Sequence, residues 1–149
     1  MTTPGRVHLF VLALLAAGLL PGCGDGAGAS APAAVRAGLS AAECGIEVVG
    51  LGLSAGGYML DFRYRVTDPV KAAPLLDGRS PARLTDQATG AVLAVPTSPK
   101  VGALRQTTRE AEAGRVYFML FANPGAAVKA GARMTIDIAD FSAADLVVR

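Results

Sequence analysis

From Gly45 onward the apolar residues of this 149-residue chain recur with a period of two, the signature of half-buried strands rather than helices. Ile46 and Val48 fall on one parity, Leu51 and Leu53 on the other. The phase slips at Val49-Gly50, where glycine permits a bulge. After a turn at Ser54-Ala55-Gly56-Gly57, the residues Tyr58–Val66 alternate most cleanly. Tyr58, Leu60, Phe62, Tyr64 and Val66 share one face, and Met59, Asp61, Arg63 and Arg65 the other. Asp68-Pro69 stops this strand and can cap one helical turn through Ala73, with Leu75 and Leu76 placed to plug an end of the core.

Shorter strands follow at Ala82–Thr85 and Ala91–Val95, separated by a turn at Asp86–Gly90 and closed by Pro96. Residues 97–114 lack periodicity and form a long connection, pinned by Val101 and Leu104. Loops of this length in small domains usually carry function or move. Val116–Ala122 is apolar on both faces, as expected of a central strand covered on each side, and Asn123-Pro124-Gly125 ends it. Met134, Ile136 and Ile138 alternate with Arg133, Thr135 and Asp137, and a final strand spans Asp145–Val148. The pattern predicts an all-β fold, an immunoglobulin-like β-sandwich of about seven strands, with a small β-barrel as the alternative.

The first part of the chain follows different rules. Arg6 supplies a positive start, and Leu9–Leu20 is an unbroken run of twelve apolar or glycine residues. That run suits a signal peptide of residues 1–22 and is shorter than the ~20 residues a spanning helix needs. Leu20-Pro21-Gly22-Cys23 resembles a bacterial lipobox, which implies cleavage before Cys23 and a lipid on its thiol. Pro21 departs from the small residue usual there, and an ordinary secretory cut near Ala29-Ser30-Ala31 is the alternative. Gly24, where an aspartate would retain the protein at the inner membrane, weakly favours the outer one. Residues 23–43 read as a tether rich in Gly, Ala, Ser and Pro, and residues 44–149 as the domain. The expected location is exported, membrane-anchored and facing the periplasm.

Charge narrows the function. The net charge is +2, and beyond the leader 13 basic residues face 12 acidic ones. That balance lacks the clustered basic surface a nucleic-acid binder requires. The one histidine, His8, belongs to the leader, so the mature protein lacks the usual general base and the commonest metal ligand.

Gly52-Leu53-Ser54-Ala55-Gly56 matches the nucleophile elbow of serine hydrolases, but a strand follows it and no histidine is left to accept a proton. Gly50-Leu51-Gly52-Leu53-Ser54-Ala55 matches a dinucleotide fingerprint that needs a helix next; a hairpin turn explains both strings. Met59, Met119 and Met134 with Cys44 could offer soft ligands to monovalent copper, although their scatter suits core packing better. Arg63, Arg65, Lys100, Arg105 and Arg109 could converge as an anion or partner site, because guanidinium forks match carboxylates. Scattered solvated charges are the commoner outcome. Cys44 has no adjacent base to activate it, and it is expected to be an idle buried thiol or to pair with Cys23.

The strings Gly57–Asp77, Pro99–Arg109 and Gly114–Gly125 resemble a group of small, single-domain exported bacterial proteins, often lipoproteins, that have no activity or site residues to carry over. The resemblance implies a domain in its own right. The reading is a non-enzymatic, lipid-anchored binding or structural module of the cell envelope, without a cofactor. Its partners are the membrane, through its lipid, and another envelope protein. A small-ligand or copper carrier is the alternative.

Overall fold

Strict alternation becomes antiparallel pairing in the computed structural model, which describes residues 38–149. Strand β1 (Ile46–Ser54) turns through a 3₁₀ segment at Ala55–Gly57 into β2 (Met59–Val66). Helix α1 (Pro69–Leu76) follows, then the hairpin of β3 (Ala82–Asp86) and β4 (Val92–Ala94). Two short strands, β5 (Thr97–Ser98) and β6 (Gly102–Ala103), pair with each other before β7 (Val116–Ala122), β8 (Arg133–Ile138) and β9 (Phe141–Val147) complete the domain. One sheet has the order β1-β2-β7 and the other β4-β3-β8-β9. Neither closes into a barrel, and their inward residues form one apolar core, so the fold is an all-β sandwich. The strand order is that of immunoglobulin-type sandwiches.

The core follows from parity. Leu60, Phe62, Tyr64 and Val66 on β2 are fully buried, with Tyr117, Met119 and Phe121 on β7 and Met134, Ile136 and Ile138 on β8 beside them. Burying each large apolar side chain is worth about 1.5–3 kcal/mol, so this inward set carries much of the fold's stability. The rings of Phe62, Tyr64 and Tyr117 stack in a row, with centroids 5.6 and 6.1 Å apart. The parity slip in β1 is a real bulge, since Val48 pairs with Tyr64 and Gly50 with Arg63, leaving Val49 without a counterpart. That extra residue lets both Ile46 and Leu51 face the core.

Several expectations change in three dimensions. The single helical turn is a helix of eight residues that itself delivers Leu75 and Leu76 to the core. Its cap is as expected, with the Asp68 carboxylate accepting from the N–H groups of Val70 and Lys71. Pro74 lies inside it. The burial of the two leucines that follow offsets the hydrogen bond that proline forfeits.

The last strand begins at Phe141 rather than Asp145, and the register shift between Met134 and Ile136 marks a bulge on β9. Asp145, with φ of 58°, lies within that bulge. Such a residue reads as a turn by propensity, which hid the strand's beginning.

The domain also starts before Cys44. Leu39 donates its N–H to the Asp140 carbonyl, and its own carbonyl accepts from Ser142 N–H. Leu39, expected in the tether, therefore pairs with the start of β9, and residues 40–43 form the turn that leads into β1. At the other sheet, Arg149 N–H donates to Leu51 O and Leu53 N–H to Arg149 O. The final residues thus cover the edge of β1, which limits edge-to-edge pairing with other chains. The leader, Cys23 and the remainder of the tether lie outside the described residues.

Candidate functional site

β7 is not a central strand but the last in its sheet, and the connection expected to be loose supplies its missing neighbour. Leu120 N–H donates to Leu104 O at 2.9 Å and Gln106 N–H to Phe118 O at 3.0 Å. The Gln106 side-chain oxygen accepts in turn from Phe118 N–H. Residues 104–106 therefore run antiparallel along β7, with Arg105 opposite Met119. Of the two residues expected to pin this segment, Leu104 is half-buried, whereas Val101 is 70% exposed on the β5–β6 turn.

Its position opposite a core residue turns the Arg105 side chain inward, where it is only 4% exposed. Nη1 donates to Ser80 O at 2.7 Å, and Nη2 lies 3.9 Å from a carboxylate oxygen of Asp77. Nε and Nη2 have no hydrogen-bond partner, nor does the buried hydroxyl of Tyr64. A guanidinium stays charged at any ordinary pH, so burying it with one short hydrogen bond and one long ion pair is costly. Burial pushes the Tyr64 hydroxyl far above its usual range, against the pull of the Arg105 cation.

What Arg105 achieves is local order. The Asp77 carboxylate accepts from the N–H groups of Arg79 at 2.8 Å and Ser80 at 3.3 Å, and Arg105 holds the carbonyl of the same Ser80. The Arg79 N–H above all, then the Ser80 N–H and the cations of Arg105 and Arg79, keeps Asp77 below the usual carboxylate range against the opposing effect of burial. The turn after α1 is thereby fixed, and with it the place of Arg79.

Beside this turn lies a cleft of about 500 Å³. One wall carries Ala73, Leu76, Asp77 and Arg79; the other carries Thr107 and Arg109. The walls are joined, because Thr108 N–H donates to Leu76 O at 3.0 Å. Gly78 sits at φ of 76° so close to Thr107 that an added Cβ would lie 3.1 Å from its methyl group. A side chain there would both strain the turn and press on the opposite wall.

The five cations singled out in the sequence do not meet. Arg63 and Arg65 lie on the outer face of the first sheet, where Arg63 pairs with Asp61 at 2.8 Å and Arg65 with Glu47 at 3.8 Å. Lys100 is exposed on the β5–β6 turn. Only Arg105 and Arg109 belong to the cleft region, and Arg79 joins them. Asp77-Gly78-Arg79-Ser80 reads in sequence as a turn. Nothing in its pattern says that residues 107–109 stand opposite.

The soft ligands are likewise dispersed. Met119 and Met134 are core residues, whereas Met59 faces outward from the sheet that Met119 faces inward from. Cys44 is buried and carries no disulfide. Burial, with the charges of Asp140 and Glu43 adding to it, pushes its thiol above the usual range and away from reactivity. Ser54 ends β1 and is followed by the 3₁₀ turn and β2, so no strand-to-helix elbow forms around it.

Among the described residues no group of three or more His, Cys, Asp or Glu side chains is placed to hold a metal ion, and no helix is long and apolar enough to cross a membrane. The chain matches no known protein family, curated protein or solved structure.

Proposed function

We propose that this chain is an exported lipoprotein whose sandwich domain, tethered through Cys23, binds a partner protein of the cell envelope and performs no catalysis. The observation that supports this reading most is the construction of residues 97–114. The segment is tied to β7 by hydrogen bonds, while its β5–β6 turn holds out Lys100 and a Val101 that is 70% exposed. An apolar side chain presented on a braced turn is suited to seat in a partner's pocket.

Site-specific photocrosslinkers at Val101 and Lys100, compared with one at exposed Lys129, test the reading in cells. The same discrete adduct from the first two positions, absent from the third, is the expected result. Adducts that do not distinguish the three positions would count against a binding role for the segment. Anchoring is tested separately by Cys23→Ser, which should move the protein out of the detergent phase.

A further inference from the structure

We infer that the domain associates with a second copy of itself through the free edge of β4, joining two β4-β3-β8-β9 sheets into one across a two-fold axis. This goes beyond the partner-binding role and depends neither on anchoring nor on Val101. Four strands end the two sheets, and three of them are guarded. Arg149 bonds to Leu51 and Leu53 on β1, and residues 104–106 lie along β7. β9 is engaged by Leu39 at its start and kinked further on by the bulge at Asp145.

β4 has no such guard. Bonded and non-bonded pairs alternate along an antiparallel ladder, and Asp86 N–H donates to Ala91 O. The next bonded pair is therefore Leu84 with Leu93, which turns the N–H and C=O groups of Val92 and Ala94 away from β3. Among the described residues no other segment bonds to them. The side chains are open as well: Val92 is 59% exposed, and Ala94 is exposed beside it. Only an extended chain offers donors and acceptors at that spacing.

A second copy fits this edge by symmetry. The outward groups lie evenly about Leu93, so an antiparallel copy sets Val92 against the partner's Ala94 and Ala94 against the partner's Val92. Each pair puts a large side chain beside a small one. Leu93, buried at the rim of its own core, meets the partner's Leu93 at the axis. Residues 90–99 carry no charge, so like edges approach without the repulsion that lysines impose on many sheet edges. A strand of three residues buries less than a permanent dimer needs, which makes the association reversible. The contact is isologous and uses the unguarded edge of both copies, so assembly closes at two.

The test is sedimentation of the full chain in density-matched detergent over a range of concentrations, with amide exchange followed at Val92 and Ala94. A monomer–dimer equilibrium should appear below about 1 mM, and both amides should exchange more slowly as the dimer fills. Ala94→Pro removes an N–H that makes no bond within the domain. It should weaken the dimer at least about tenfold, a difference of about 1.4 kcal/mol. Val92→Lys keeps every backbone group and should weaken the dimer by a similar factor. Val92→Glu should weaken it less, because position 92 faces the partner's Ala94 and, beyond it, the partner's Arg83.

Val101→Lys should leave the equilibrium unchanged. A monomer at every concentration up to about 1 mM would overturn the proposal. So would a dimer that Ala94→Pro and Val92→Lys leave intact, one that Val101→Lys weakens equally, or one in which both amides exchange as in the monomer.

Discussion

Asn123 and Arg105 are both buried polar side chains reached from β7 or its neighbour, yet they are finished to different degrees. Asn123 is wholly buried at the end of β7, where its amide donates to Gly57 O at 2.8 Å and Val128 O at 2.9 Å and accepts from Val128 N–H at 3.0 Å. It ties the β1–β2 turn to the chain leaving β7, and its polar capacity is nearly used up. Arg105, on the other side of β7, brings five N–H donors and satisfies one of them at short range. A side chain whose hydrogen bonds are completed by the chain itself is a structural clamp. One left with idle donors holds its neighbourhood at a cost, and the neighbourhood it holds is the cleft wall.

The largest expected effect tests the clamp. Asn123→Ala orphans three backbone groups, the two of Val128 buried and the Gly57 carbonyl partly so, and should cost about 3–4 kcal/mol in urea unfolding, given ~1–3 kcal/mol for each group left unsatisfied. A loss below about 1 kcal/mol would mean that other partners replace the amide and that the two sites are not so different. Next, Arg105→Ala should cost about 2–3 kcal/mol through lost packing and a freed Ser80 carbonyl, whereas Arg105→Met should stay within about 1 kcal/mol of the parent. Equal losses in the two variants would show that the guanidinium is better satisfied than its geometry suggests.

Smaller still is Tyr64→Phe, which removes a buried hydroxyl without a partner. It should leave stability unchanged or raise it by up to about 1 kcal/mol. The same residue predicts a pH effect. Its folded-state pKa is raised by burial, so its contribution is fully present below the unfolded value of about 10 and is lost as pH rises beyond it. The phenylalanine variant should lose less stability above that pH than the parent.

The smallest effect belongs to the exposed pairs. Among them Arg65→Ala, whose pair with Glu47 is open to solvent on both sides, should change stability by no more than about 0.5 kcal/mol. A larger loss would place structural weight on the outer face and blur the contrast with Arg105.

How much of this was readable in advance depends on the distance along the chain over which each feature is decided. The bulge at Val49-Gly50 was legible because little except an inserted residue shifts the parity of apolar positions within one strand. The Asp68 cap was legible because cap chemistry lies within three residues of sequence. Pro74 reads as a stop, so residue type alone suggests a helix shorter than the eight residues that form. The start of β9 is not legible, because Asp145, in its left-handed conformation, interrupts the alternation. The composition of Val116–Ala122 suits a sheet centre, whereas its apolar outer face is mostly half-buried at a sheet edge that residues 104–106 cover.

The candidate site was less legible than the fold. Of the five cations that the sequence singles out, Arg109 lines the cleft and Arg105 braces its wall from behind. Arg63 and Arg65 could be assigned to an outer face by alternation alone. Arg105 could not be, since its inward direction comes from pairing with β7 and its partner Ser80 lies 25 residues away.

By itself the sequence determined the strand periodicity and the turn and cap positions. Each of these is written in residue type and short-range spacing. Tertiary structure alone decided which edges were covered, which arginine was buried, and that the end of α1 faces residues 107–109. Those outcomes rest on backbone hydrogen bonds between distant segments. Every residue except proline offers the same N–H and C=O groups, so no residue type announces them.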